Sequence, residues 1–299
     1  MQWPSIGVVV PTRDRPRILR RALDAIHAQH YPGPVRVLVV FDQTPPDGLL
    51  ARGGDRPVTV LANARGVGLA GARNTGIVVL DTELVAFCDD EDEWLPGKLS
   101  AQVEALCATP AADLVTCAAE VVHRDHAVPQ FIGDTHLRLD RLVAPETVLP
   151  RSSSFLIRRS SLLGPDGLGL LAEDAPGSRN EDWDLLLRAT RRAPVEHVDE
   201  PLVRVPWRGP VHHGYEYATR IASLRWMMSR HPEIGGCPPG GARTSPAPRW
   251  PARNRQDAWK YSRAAARDNW REPRDLAELA RLSRIDSLLG AMNKRDRAG

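Results

Sequence analysis

An α/β fold with a mostly parallel, Rossmann-like sheet is what this sequence predicts, and two observations carry it. Short, nearly continuous apolar runs recur at residues 6–10, 35–41, 58–61 and 84–88. A strand covered on both faces reads that way, because neither side of the sheet has to meet water. Between the first two runs, Leu19, Ala22, Leu23 and Ile26 repeat at helical spacing. Alternation of this kind places helices on both faces of one sheet. In such sheets ligands bind beyond the carboxyl ends of the strands. The polar residues that follow each run are therefore the candidates for function.

Taken in order, the first run stops at Pro11, and Pro16 suits the first turn of the helix after it. Tyr31-Pro32-Gly33 ends that helix. The second run is broken only by Arg36; the third and fourth are short. Residues 114–207 are less regular, with strands expected at 153–157 and 202–205 and a helix at 182–192. Residues 237–251 are dense in Pro and Gly and read as a linker. Two helices are expected beyond it, at 257–269 and 274–289. The predicted organisation is a domain over 1–236 (a first half to about 110, a second over 111–236), a linker at 237–256 and a helical basic tail at 257–299.

The 299 residues, 42% hydrophobic and 26% charged, are enough for a packed core and argue against global disorder. No apolar run approaches the roughly 18 residues that span a bilayer, and no secretory signal is visible. Cys88, Cys107, Cys117 and Cys237 form neither a metal-ligand pair nor a disulfide framework. A cytoplasmic, reduced protein is expected. Net charge is +3, unevenly spread: from Arg249 onward 13 Lys/Arg face 7 Asp/Glu, and the rest holds 27 against 30. Nothing in the pattern points to nucleic acid. The basic tail suggests an appended surface element, suited to an anionic membrane surface or a partner, with helices packed on the main domain as the alternative. The expected location is the cytoplasm, peripheral to the inner face of the membrane where the tail engages it.

Phe87-Cys88-Asp89-Asp90-Glu91-Asp92-Glu93-Trp94 is the strongest chemical feature. Five consecutive carboxylates repel one another unless something offsets them. A divalent cation on hard oxygen ligands, Mg²⁺ or Mn²⁺, would do so. A solvated acidic loop at a helix start is the plain alternative. Gly66-Val67-Gly68-Leu69-Ala70-Gly71-Ala72-Arg73-Asn74-Thr75-Gly76 reads by itself as a flexible turn with a helix start, and its Arg73 as a phosphate fork. In Asn180-Glu181-Asp182-Trp183, Asn180 suits an N-cap and the acids suit the helix dipole. His212 and His213, after the last expected strand, are metal or phosphate candidates, with ordinary surface histidines as the alternative.

In this order and spacing the segments resemble the family 2 glycosyltransferases of the GT-A fold, over roughly residues 5 to 207. Val8-Val9-Val10-Pro11-Thr12-Arg13-Asp14-Arg15 is similar to that family's opening strand, and Val39-Val40-Phe41-Asp42 to its second. Gly68 through Gly76, Phe87 through Trp94, and Glu181-Asp182-Trp183 after Ser153-Ser154-Phe155 are similar to its later motifs. The resemblance implies an inverting transferase that takes a sugar from a nucleotide diphosphate donor to an acceptor hydroxyl on a glycan, a lipid-linked glycan or a small metabolite. It implies that Thr12, Asp42 and Arg73 contact the nucleotide, that Asp89 and Asp90 lie near ribose and metal, and that Asp182 is the general base. Glu91 stands where the family has the second aspartate of its DxD motif, so Glu91 with Asp89 would hold the metal; Asp92 is a further site candidate in the acidic run, and Glu181 another beside the base. Residues 173–179 are a candidate mobile loop over the site. A nucleotidyltransferase is the first rival, disfavoured by the lack of a glycine-rich turn after the first strand; a non-catalytic sugar-nucleotide or carbohydrate-binding relative is the second.

Overall fold

The computed structural model describes residues 3–123, 126–144, 147–206 and 214–234. Along the chain these form β1 (Ile6–Thr12), α1 (Pro16–His27), β2 (Val35–Phe41), β3 (Val58–Ala62), α2 (Leu69–Val79), β4 (Leu84–Phe87), β5 (Glu93–Trp94) and α3 (Lys98–Ala108). They continue with β6 (Leu114–His123), β7 (His126–Gln130), β8 (His136–Leu137), α4 (Leu139–Val143), β9 (Leu156–Arg158), α5 (Arg159–Leu163), α6 (Glu181–Thr190), β10 (Val195–Pro206) and α7 (Gly214–Arg230). Among the described residues, 3–142 and 148–206 belong to one compact unit, and α7 belongs to a second. Within α7, Arg230 lies over the ring of Trp226 at 4.9 Å, and the chain closes into a turn in which Ile234 N–H donates to His231 O at 3.0 Å. The expected linker, the tail helices, His212 and His213 fall outside the described residues.

The sheet runs β3-β2-β1-β4-β9-β6-β10-β5, with β7 on β6 and β8 on β10. The pairs β1–β2, β1–β4, β2–β3 and β6–β10 are parallel. The remaining pairs, all antiparallel, involve the short β5, β7, β8 and β9. It is thus a mixed α/β sheet whose long strands run parallel. Strand alternation sorts the layers. Val8 and Val10 join Leu19, Ala22, Leu23 and Ile26 of α1 and Leu99 and Val103 of α3 in the principal core. Val9 faces the other way, where Gly76 lets α2 approach so closely that an added Cβ would meet a Val9 methyl at 2.5 Å.

The chain order places β1, β2 and β3 outward in one direction and then returns to set β4 on the other side of β1. This switch leaves a crevice at the carboxyl ends of β1 and β4. One expectation needs correction. Residues 153–157 are not one strand: Ser152–Ser154 form a 3-10 turn, with β9 following. Ser154 Oγ donates to Arg151 O at 2.7 Å, a local hydrogen bond that competes with a ladder. The glycine-rich stretch is a turn with a helix start, as expected: α2 runs eleven residues from an N-cap at Gly68.

Candidate active site

The carboxyl ends of the parallel strands line up as expected. Asp42 N–H donates to Thr12 O at 2.9 Å, Asn63 N–H to Phe41 O at 2.8 Å and Cys88 N–H to Val9 O at 3.1 Å. Thr12, Asp42, Asn63 and the acidic turn therefore stand side by side along one sheet edge. Thr12 Oγ1 donates to Asp90 Oδ2 at 2.8 Å, which joins the ends of β1 and β4 across the crevice. Arg15 Nη1 lies 3.2 Å from Asp90 Oδ1 and 3.5 Å from Glu91 Oε2.

Asp42 sits at the far side of the crevice. Its Oδ1 accepts from Asn63 Nδ2 at 2.8 Å and its Oδ2 from Gly68 N–H at 3.1 Å. Asn63 Oδ1 in turn accepts from Thr75 Oγ1 at 2.8 Å. The loop before α2 is thereby anchored to the aspartate.

Arg73 departs from its expected role. Its side chain is 1% exposed and is spent inside the protein. Nη1 donates to Glu181 Oε1 at 2.7 Å, while Nη2 donates to Asp89 Oδ1 at 2.6 Å and Ser152 Oγ at 2.9 Å. Burial opposes its charge, yet Asp89 and Glu181 on either side raise its pKa above the ordinary value. Arg73 thus joins the acidic turn to the start of α6. The next residue, Asn74, grips Leu171 through paired bonds of 2.9 and 3.0 Å, and Thr75 holds Asn63. Successive helical residues point about 100° apart, so Arg73, Asn74 and Thr75 can brace three different segments.

The repulsion among the acids is relieved largely by the protein. Asp89 has Arg73, Ser152 Oγ at 3.2 Å and, through its own N–H, Ser153 Oγ at 2.9 Å. Asp90 has Thr12 and Arg15. Burial, and then Asp89, pushes Asp92 up to about 7; burial also raises Asp90. Trp94 Nε1 donates to Ser153 O at 3.0 Å and fixes the serine turn beneath the acids. Ser152 and Asn63 were not singled out in the sequence; Ser153 was read there only as part of a motif before the Glu181-Asp182 pair.

Asp89 and Glu91 keep side-chain exposures of 27% and 22%. Among the described residues no three His, Cys, Asp or Glu side chains gather into a cage for a metal ion. The two accessible carboxylates fit a hard cation as a partial ligand set, one that oxygens of a bound ligand would have to complete.

At α6, Asn180 occupies the N-cap position but makes no side-chain cap bond and has φ 65°, so ordinary capping does not account for this motif. Glu181 is buried against Arg73; burial first and Asp182 second push it up to about 7. Asp182 is only partly buried and accepts Trp183 N–H at 2.8 Å. Burial raises its pKa, while Arg73 opposes the rise. The loop before α6 is fastened: Glu173 accepts from Arg65 Nε at 2.5 Å, Gly66 N–H at 3.0 Å and Asn74 Nδ2 at 2.8 Å.

A mixed α/β sheet with carboxylates at the β1–β4 switch and a second acidic pair on a later helix is the arrangement that the GT-A resemblance implies. Residues 7–163 match the profile of Glycosyl transferase family 2. The chain belongs to that family. It is 41% identical over 103 residues to the succinoglycan biosynthesis protein ExoW of Rhizobium meliloti (strain 1021), covering 32% of each chain. It is 28% identical over 100 residues to the putative colanic acid biosynthesis glycosyl transferase WcaA of Escherichia coli (strain K12), covering 32% of this chain and 36% of that one. These matches span about a third of the relatives' length. Among solved structures, S. aureus TarS 1–349 in complex with UDP superposes with a TM-score of 0.56 at 17% identity, covering 76% of this chain and 66% of TarS. Its complex with UDP-GlcNAc gives 0.56 and 17%, covering 96% and 73%. No helix among the described residues is long and apolar enough to cross a membrane.

Proposed function

We propose that this protein transfers a sugar from a nucleoside diphosphate donor to an acceptor hydroxyl with inversion, with Asp182 as the general base. One observation carries the reading. Arg73 neutralises Glu181, while its neighbour Asp182 stays partly exposed, and no side-chain donor binds it among the described residues. Of the two acids, Asp182 is the one whose carboxylate an acceptor hydroxyl can reach.

Thr12, Asp42 and the backbone around Gly68 would receive the nucleoside, and Asp89 and Asp90 the ribose. Arg73 acts from beneath, by holding Asp89. The fit of Glu91 and Asp89 to a hard cation supports a metal, Mg²⁺ or Mn²⁺, completed by the donor's phosphates. Bound there, it would supply Lewis-acid stabilisation of charge on the departing diphosphate. Asp182 takes the acceptor's proton as the acceptor oxygen bonds to the anomeric carbon. The anomeric bond to the diphosphate breaks, and its electron pair leaves with the phosphate. The UDP and UDP-GlcNAc bound by TarS support a nucleotide-sugar donor, and the succinoglycan and colanic acid biosynthesis named for the sequence relatives supports a glycan acceptor.

The test is calorimetric binding of UDP, GDP and dTDP with Mn²⁺ or with chelator, followed by transfer from the matching sugar nucleotide. Asp182→Asn should cut transfer by roughly 10²–10⁴-fold, the usual cost of losing a general base, with nucleotide affinity within a few-fold of wild type. Glu181→Gln should cost rate less directly, through lost support. If Asp182→Asn transfers normally, the base is elsewhere; if chelator changes neither binding nor turnover, the metal is wrong.

A further inference from the structure

Residues 171–180 form a strap that runs from the hub on α2 to the first turn of α6. Asn74 holds its start at Leu171. Its end is Asn180, whose backbone carbonyl accepts Asp184 N–H at 2.8 Å to open α6. Between these points the strap rests on the glycine loop that donates Gly68 N–H to Asp42. Glu173 is the tie: one carboxylate takes Arg65, Gly66 N–H and Asn74 together. The fit is close at both glycines, and a side chain at either would displace the strap's side chains. A Cβ on Gly66 would lie 2.7 Å from Glu173 Oε2, and one on Gly68, at φ 110°, would overlap Ser178 Oγ.

The strap is not relaxed where it meets α6. Gly177, Ser178 and Asn180 have φ of 65°, 48° and 65°. Left-handed backbone is unfavourable for the two non-glycine residues and persists only where surrounding contacts impose it. Glu173 and the Ser178–Gly68 contact are such contacts, and the next residues are Glu181 and Asp182.

We infer that Glu173 is a positioning residue that couples occupancy of the Asp42 pocket to the placement of Asp182. It rests on the functional reading above. The route is short and continuous: nucleoside at Asp42, the Gly66–Gly68 loop, Glu173 and Ser178 on the strap, then the first turn of α6. A nucleoside that settles against Asp42 fixes the glycine loop; through Glu173 the fixed loop holds the strap, and the strap holds Asp182 where an acceptor hydroxyl arrives. Glu173 itself stays charged: burial acts against that, but the Arg65, Asn74 and Gly66 bonds together hold its pKa below the usual value.

Hydrogen exchange read peptide by peptide, with and without saturating UDP, GDP or dTDP plus Mn²⁺, tests this in the full-length protein. In wild type, the effective nucleotide should slow exchange at both 65–69 and 172–182. In Glu173→Ala, and in Arg65→Met on the more exposed side of the tie, slowing should persist at 65–69 and vanish at 172–182. Nucleotide affinity should change no more than a few-fold, while kcat for transfer falls about 10–100-fold, the scale of an ångström-level misplacement. Glu173→Gln, which retains part of the hydrogen bonding, should recover a portion of kcat. A role confined to stability would lower melting temperature without uncoupling the two segments. Strap protection that survives in both variants, or that is absent in nucleotide-bound wild type while 65–69 is protected, overturns the inference. If no nucleotide protects 65–69, the functional reading fails and takes the coupling with it.

Discussion

Arg73 changes meaning between the sequence and the fold. As a letter it is a cation near a strand end, suited to a phosphate; in place it is enclosed by Asp89, 16 residues away, and Glu181, 108 residues away. A lysine could not replace it. One ammonium reaches one carboxylate, whereas the planar fork bridges two. We expect Arg73→Lys to leave one buried carboxylate uncompensated, at a cost of about 3–5 kcal/mol, visible as a clear drop in melting temperature. The remaining activity should also fail earlier as pH is lowered. Asp182 already sits above the ordinary carboxylate range because of burial, and Arg73 holds it down; weakening that support moves the base further up, so it protonates at higher pH. Wild-type stability together with an unmoved acid limb would contradict this account. The positions of Thr12, Asp42 and the acids were legible because strand ends bear ligand sites in this class of sheet. Ser152 and Asn63 were not, since neutral hydrogen-bonding residues are common in loops and only the tertiary fold gives them partners.

At the scale of elements, the parallel strands declared themselves because burial on both faces leaves continuous apolar runs. β6 did not: Thr116 and Glu120 interrupt it, and its order emerges only from pairing with β9, β7 and β10. The support beneath the acidic turn was equally hidden. Lys98, at the start of α3, is 0% exposed. It donates to Gln102 Oε1 at 2.7 Å and lies 4.0 Å from the Trp94 ring centroid. Gln102 Nε2 passes the contact on to Ser154 O at 2.6 Å. Burial lowers the lysine from 10.5 to about 8. Between those values the unfolded chain binds more protons than the folded one, so this residue makes stability rise with pH across the window. Lys98→Met keeps the length and removes the titration. Urea unfolding of both proteins should show wild type gaining on the variant by on the order of 3 kcal/mol between pH 7 and 10.5, at about 1.4 kcal/mol per pKa unit. A difference that stays flat with pH would mean the ammonium is not desolvated in the folded protein.

Across the whole molecule, charge is divided rather than balanced. Residues 1–248 carry 27 basic and 30 acidic side chains, and the 51 residues from Arg249 carry 13 and 7. The basic excess past residue 248 suits an anionic membrane surface. Six net positive charges at about 1 kcal/mol each near such a surface would give attachment of useful strength, and screening at a Debye length of about 8 Å would make it sensitive to salt. We therefore expect the full chain to sediment with vesicles containing anionic lipid at low ionic strength and to be released at about 0.5 M salt, where screening is stronger. Truncation at Gly241 removes the whole basic excess but none of the residues assigned to the donor or to Asp182. The shortened protein should lose vesicle binding while its nucleotide affinity stays within a few-fold. Neutral vesicles should capture neither form, which separates charge from apolar insertion. If the truncated protein still sediments with anionic vesicles, attachment resides in the first 240 residues. If it loses nucleotide binding or solubility, the tail is part of the folded body, and its charge serves that packing rather than a membrane.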